Sequence, residues 1–177
     1  RKRRQTERRV LMAAILIPLF LSIIIGGGFV YAKYYSQNYQ NGIAIASGIL
    51  GGLGYSESTQ DFLINESLHD IKDLICFLGG KPKTSLSVAG VGDVLVTSMS
   101  KKSRNYSFGY VIGSTKDKDK IEEFLKNNTV EGYYTLNSVY KMLQKKRIEI
   151  PLITLINNIV CNGQNPNDLA EFLINKA

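Results

Sequence analysis

The chain has 177 residues, 44% of them hydrophobic and 21% charged, which suits one domain with a real core, or a small domain with an appendage, and excludes a disordered chain. Two cysteines and one histidine exclude a disulfide scaffold, a four-cysteine zinc site and any centre that needs two histidines, so no metal site is expected. The net charge of +7 is local: residues 1–9 hold six basic side chains and one acid, and the other 168 residues carry only +2, so the body gives no electrostatic footprint for nucleic acid.

In chain order, a basic flank over residues 1–9 precedes a hydrophobic segment over residues 10–35. Val10 to Ala32 runs 23 residues without a charge, about 34 Å as a helix and enough to cross a hydrocarbon core. Arg1, Lys2, Arg3, Arg4, Arg8 and Arg9 flank one end, and Tyr31, Lys33, Tyr34, Tyr35 and Tyr39 the other, where an interfacial aromatic belt lies. The expectation is a single transmembrane helix contacting the membrane through residues 10–32, with the N-terminus on the cytoplasmic side. A signal peptide cut after Ala32 and a buried apolar helix are the alternatives. Five of the seven arginines lie in the first nine residues, so the leader and the body differ in composition, and the chain begins with Arg, as a processed product or a fragment does.

Residues 36–177 read as a compact multi-helix domain, all-α, because apolar residues recur there at helical spacing without sustained alternation. The expected helices cover residues 36–50, closed by Gly51, Gly52 and Gly54; 59–78, stopped by Gly79 and Gly80; 116–126; 133–144; 151–161, opened by Pro151; and a last one opened by Pro166 and Asp168. Cys76 and Cys161 are expected as buried free thiols. His69, beside Asp70 and Asp73, reads as an ordinary solvated or packed histidine. Asn65, Asn105 and Asn127 each begin a glycosylation sequon, which matters only if the body is exported.

Two stretches are rich in glycine, Gly48–Gly54 and Ala89–Asp93. Neither is a dinucleotide fingerprint: Glu57 and Leu95 stand where the third glycine belongs. By themselves these glycines mark turns and close helix contacts. In context they carry more. Residues 87–109 place an acid, Asp93, after Gly90-Val-Gly92, then Thr97, then Ser103-Arg104-Asn105 and the pair Phe108-Gly109. Asn41-Gly-Ile-Ala-Ile-Ala-Ser-Gly-Ile and Gly52-Leu-Gly-Tyr precede them, and Val130-Glu131-Gly132, Ile150-Pro151 and Asn162-Gly-Gln-Asn-Pro follow in order. Over about residues 36–175 this series resembles the C-terminal domain of bacterial NAD(P)-dependent glycerol-3-phosphate dehydrogenase.

The resemblance implies a substrate-binding domain of an enzyme that reduces dihydroxyacetone phosphate to sn-glycerol 3-phosphate. It implies a carboxylate at Asp93 beside the substrate hydroxyls and a phosphate site of Ser103, Arg104 and Asn105 at a helix start, with Asn41 and Thr97 as further substrate contacts. Arg104 and Glu131 match cofactor contacts. The cofactor NAD(P) is expected only if a Rossmann domain is supplied, for example by a partner subunit, and a dimer is a further expectation. A guanidinium offers a phosphate a rigid fork of donors, and a carboxylate accepts from hydroxyls. The family location is cytoplasmic, whereas a native leader would make the chain membrane-associated.

One departure bears on activity. The family's catalytic lysine precedes the asparagine that aligns with Asn41, and that position is Gln40 here. A glutamine cannot deliver a proton as a general acid, a loss of about 10²–10⁴ in rate. Lys33 lies about two helical turns away and cannot reach the same point. Glu66 and Ser67 also replace the family's arginine and glycine. The apolar leader stands where the Rossmann domain belongs, so the chain alone is expected to be inactive. The alternative is a membrane-anchored, non-catalytic interaction or phosphate-binding module that reuses the fold.

Overall fold

A computed structural model describes residues 30, 32–81, 83, 95–96 and 98–176. The expected membrane segment and the residues Asp93 and Thr97 lie almost wholly outside them, apart from Val30 and Ala32. Among the described residues no helix is long and apolar enough to cross a membrane, and there is no strand.

Seven helices can be followed through the described residues, which also include the helical positions 83, 95–96 and 98–99. They are α1 over residues 32–52, α2 Glu57–Phe77, α3 Arg104–Ser114, α4 Lys118–Asn127, α5 Glu131–Lys146, α6 Pro151–Asn162 and α7 Asn167–Ile174. The first is the axis of the fold. It carries no charge after Lys33, and Ile43, Ala44, Ile45, Ala46, Ser47, Ile49 and Leu50 are all fully buried. A helix apolar all round belongs in the middle of a protein. It begins before residue 36, with Ala32 already buried, so the body reaches into the last residues of the hydrophobic segment.

α3 lies against α1 backbone to backbone. A Cβ on Gly48 would fall 2.0 Å from the Tyr106 carbonyl oxygen, and one on Gly109 would fall 1.9 Å from that of Ile45. Gly52 against Tyr110 and Gly113 against Ile49 repeat the contact one turn on, at 2.2 Å each. Both helices carry glycines four residues apart, on one face. Four helical glycines cost up to about 1 kcal/mol each in propensity, and only the close approach they permit explains them. This is also why the apolar period alone shows no helix over 104–114, where only the family resemblance implied a helix start: its glycines weaken the local signal, and packing holds it.

Ends are closed by local chemistry. Gly79, at φ +81°, closes α2, with Gly80 N–H donating to Ile75 O at 2.8 Å and Gly79 N–H to Cys76 O at 3.0 Å, the paired bonds of a Schellman motif. Pro151 opens α6 and Gly163, at φ +71°, follows it. Leu136 of α5 and Ile153 of α6 converge on Gly42, Phe108 meets Phe124 and Tyr133, and α4 packs on α3. The two cysteines depart from expectation: both are exposed. Cys76 follows the buried Ile75 on the outer side of α2, and Cys161 lies past Ile159, the last buried residue of α6.

Candidate functional site

Ser103 has extended backbone and caps α3. Its Oγ accepts from Tyr106 N–H at 3.5 Å, the outer limit of a hydrogen bond, and its carbonyl accepts from Ser107 N–H at 2.9 Å. Arg104 follows as the first helical residue, with its side chain exposed. The free N–H groups and dipole of this first turn make the place favourable for an anion. Lys101 and Lys102, also exposed, precede it.

Asn105 points the other way, into the body, and is 9% exposed. Its Nδ2 donates to Asn41 Oδ1 at 3.1 Å. Its Oδ1 accepts from the backbone N–H of Gly132 at 3.0 Å. Three elements therefore meet at one side chain: α1 through Asn41, α3 through Asn105 and the first turn of α5 through Gly132. Gly132 is needed there, since a Cβ would sit 2.9 Å from Asn105 Oδ1, 2.9 Å from Ile45 Cδ1 and 3.0 Å from the Asn41 carbonyl oxygen. Glu131, next to it, opens α5 and is exposed, at the positive end of the helix dipole. Gln40, half-buried, precedes Asn41 on α1.

Of the residues expected at a site, Gln40, Asn41, Ser103, Arg104, Asn105 and Glu131 are thus on three neighbouring element starts or faces. Asn41 and Asn105 touch. Arg104 and Glu131 flank the shared contact without bonding each other among the described interactions. Asp93 and Thr97 fall outside the described residues. The sequon at Asn105 is a poor acceptor for sugar in the folded chain, because that amide is buried and bonded on both sides, whereas Asn65 and Asn127 are exposed.

Two polar clusters lie behind this face, and neither pairing was expected from the sequence. Tyr39, expected in an interfacial aromatic belt, is instead buried in the body at 1% exposed and donates its hydroxyl to Asp70 Oδ2 at 2.8 Å. Burial pushes the Asp70 carboxyl above its ordinary range, against the opposing effect of the Tyr39 bond, and burial together with Asp70 raises the Tyr39 phenol. Further along α1, Ser47 Oγ and Tyr106 OH both donate to Gln60 Oε1, at 3.1 and 3.3 Å. The first cluster joins α1 to α2 and the second joins α1, α2 and α3, and no spacing rule pairs positions 31 or 46 residues apart.

Among the described residues no group of three or more His, Cys, Asp or Glu side chains could hold a metal ion. A cavity of about 410 Å³ opens elsewhere, where α5 ends and α6 begins, lined by Gln144, Ile150, Thr154 and Asn158 among others. It is twelve residues along α5 from Gly132, about 18 Å. Its one charged lining residue is Glu149, so it does not suit an anion.

The sequence model described as NAD-dependent glycerol-3-phosphate dehydrogenase C-terminus matches residues 34–171. The chain is 34% identical over 135 residues to the glycerol-3-phosphate dehydrogenase (NAD(P)+) of Geobacillus thermodenitrificans, covering 76% of this chain and 39% of that protein. It is 36% identical over 121 residues to the protein of the same description from Staphylococcus carnosus, covering 68% and 36%. Its fold is similar to the crystal structure of glycerol-3-phosphate dehydrogenase from Coxiella burnetii, with TM-score 0.72 and 30% identity over 79% of this chain and 43% of that one. The chain therefore spans about two fifths of the length of the relatives it matches.

Proposed function

The chain belongs to the family of NAD-dependent glycerol-3-phosphate dehydrogenase C-terminal domains, and from that premise we propose that the α1–α3–α5 face binds the phosphate end of glycerol 3-phosphate or dihydroxyacetone phosphate. The observation that carries the reading is the Ser103-Arg104-Asn105 turn. It sets an exposed guanidinium at a helix N-terminus and ties that turn to Asn41 through Asn105. The Arg104 fork and the free N–H groups of α3 take the phosphate oxygens, and Ser103 adds a neutral hydroxyl. Asn41 stands beside position 40, where the family's chemistry takes place. Asp93 and Thr97 are assigned by the resemblance, Asp93 as acceptor for the substrate hydroxyls and Thr97 as a further contact.

A nicotinamide cofactor, when bound, would supply the hydride. Towards such a cofactor the described residues offer the exposed Arg104 and Glu131 on adjoining helix starts. These fit one edge of a dinucleotide, and a cofactor-binding domain, in the same polypeptide or in a partner, would have to hold the rest. This chain's own part is to grip the phosphate, orient the carbonyl end and hold Gln40 where the family has a lysine. The Gln40 amide can donate a hydrogen bond to a carbonyl oxygen but has no proton to transfer, so the reduction is slow or absent without a lysine there.

The test is an NMR titration of the full chain with glycerol 3-phosphate. One clamp without a second domain should bind at about millimolar strength, near −4 kcal/mol. Shifts should centre on residues 103–108. They should vanish in Arg104→Ala and nearly so in Arg104→Lys, which keeps the charge and loses the fork. Equal binding by the parent and Arg104→Ala would overturn the reading.

A further inference from the structure

We propose that Gly132 is a positioning residue of this site: its backbone N–H, acting through the inward-turned Asn105, sets which way the half-buried Asn41 amide faces, so that Asn41 keeps its Nδ2 donors for an oxyanion or carbonyl ligand. The inference rests on the phosphate-binding reading above and concerns how that site acquires its polarity.

The argument is one of hydrogen-bond sign. A side-chain amide can turn by 180° and exchange its donor end for its acceptor end, so an asparagine alone does not decide what it offers a ligand. A backbone N–H can only donate. Gly132 N–H meets Asn105 at 3.0 Å, so the atom it meets must be Oδ1. The Asn105 Nδ2 is then turned to Asn41, at 3.1 Å, and the Asn41 atom that it meets must also be an oxygen. Each amide oxygen takes a hydrogen bond within the chain Gly132–Asn105–Asn41. The hydrogens that these two bonds leave uncommitted are the two on Asn41 Nδ2 and the second on Asn105 Nδ2. The Asn41 pair suits an anionic or carbonyl oxygen.

Glycine is required at the head of this relay for room, since any residue but proline would supply the N–H. A Cβ at 132 would meet Asn105 Oδ1 and Ile45 Cδ1 at 2.9 Å and the Asn41 carbonyl oxygen at 3.0 Å. These contacts surround the residues whose orientation is at issue. The site is 9% exposed or less at Asn105, so water cannot readily replace the lost bond. Because Glu131 is the neighbouring residue on the same first turn of α5, the relay also holds the start of α5 in register with the anion site on α3.

The experiment uses the full chain with Gly132→Ala, Ile45→Val and the two together. Ile45→Val removes the Cδ1 that crowds position 132, so the double variant has room to fold while its Cβ still presses on Asn105. Ile45→Val should bind glycerol 3-phosphate like the parent. The double variant should keep its circular dichroism and lose about tenfold in affinity, the worth of one well-placed hydrogen bond, although residue 132 adds no group that reaches the ligand. Full affinity in a folded double variant overturns the proposal. A ligand-free measurement separates it from the phosphate reading. In Asn105→Ala the Gly132 amide should lose its exchange protection and the Asn41 side-chain NH₂ signals should move. If both stay as in the parent, the relay is wrong even where the parent binds ligand. If both change and the parent binds no glycerol 3-phosphate, the relay stands and the phosphate reading falls.

Discussion

At position 40 this chain has a glutamine where the family resemblance implies a lysine. Gln40→Lys restores a side chain that can give up a proton, next to an Asn41 already held by Asn105. With a cofactor-binding domain supplied in trans or by fusion, dihydroxyacetone phosphate reduction followed by cofactor absorbance should rise by about 10²-fold or more over the Gln40 parent. Equal rates would mean that another group delivers the proton. Asp70 makes a second prediction at this scale. Its folded-state pKa is raised above the ordinary 3.8, chiefly by burial. A carboxyl with a raised folded-state pKa contributes stability that is full below the unfolded value and lost as pH rises through the folded one. The unfolding free energy should therefore fall across the acidic range just above 3.8. Asp70→Asn keeps an acceptor for the Tyr39 hydroxyl and removes the charge, so its thermal melts should lack that fall.

Elements differ sharply in what holds them. Gly48 and Gly109 sit where α1 and α3 touch, and an added methyl would lie about 2 Å from a carbonyl oxygen of the other helix. Gly109→Ala should cost about 3 kcal/mol or more, since backbone cannot step aside as a side chain can. Gly163, open to solvent with nothing within 4 Å of an added Cβ, is constrained only by its φ of +71°. Gly163→Ala should cost about 1–2 kcal/mol. Urea unfolding of the two variants checks the contrast. α4 is the opposite of α1: it has no fully buried residue, and Ile121, Phe124 and Leu125 only rest on the core. Amide exchange should be fastest in α4 and slowest in α1, because few apolar contacts oppose its opening.

For the molecule as a whole, ligand binding and stability are one equilibrium. If glycerol 3-phosphate binds the folded chain with a millimolar constant, tenfold excess over that constant should stabilise by about 1.4 kcal/mol. For a chain of this size that is a rise of about 3–5 °C in Tm. Arg104→Ala should melt near the parent's own temperature and show no rise. A rise of equal size in both would place the anion elsewhere than the α3 turn.

The all-α class, the helices that fold as 57–77, 118–127, 131–146 and 151–162, and the stop at Gly79 and Gly80 were legible in the sequence because they depend on local signals: a 3.6-residue apolar period, a proline at a first turn, a glycine after a last one. The order of Asn41, Ser103-Arg104-Asn105 and Glu131 was legible too, as residue types and spacing. Tertiary structure decided the rest. No local rule gives α3 as a helix, because its glycines weaken it alone and serve only against the glycines of α1. Nor does any rule turn Asn105 inward to Asn41 and Gly132, leave Cys76 and Cys161 outside, or join Tyr39 to Asp70. Those are contacts between positions tens of residues apart, and they exist only where packing brings the helices within hydrogen-bond reach.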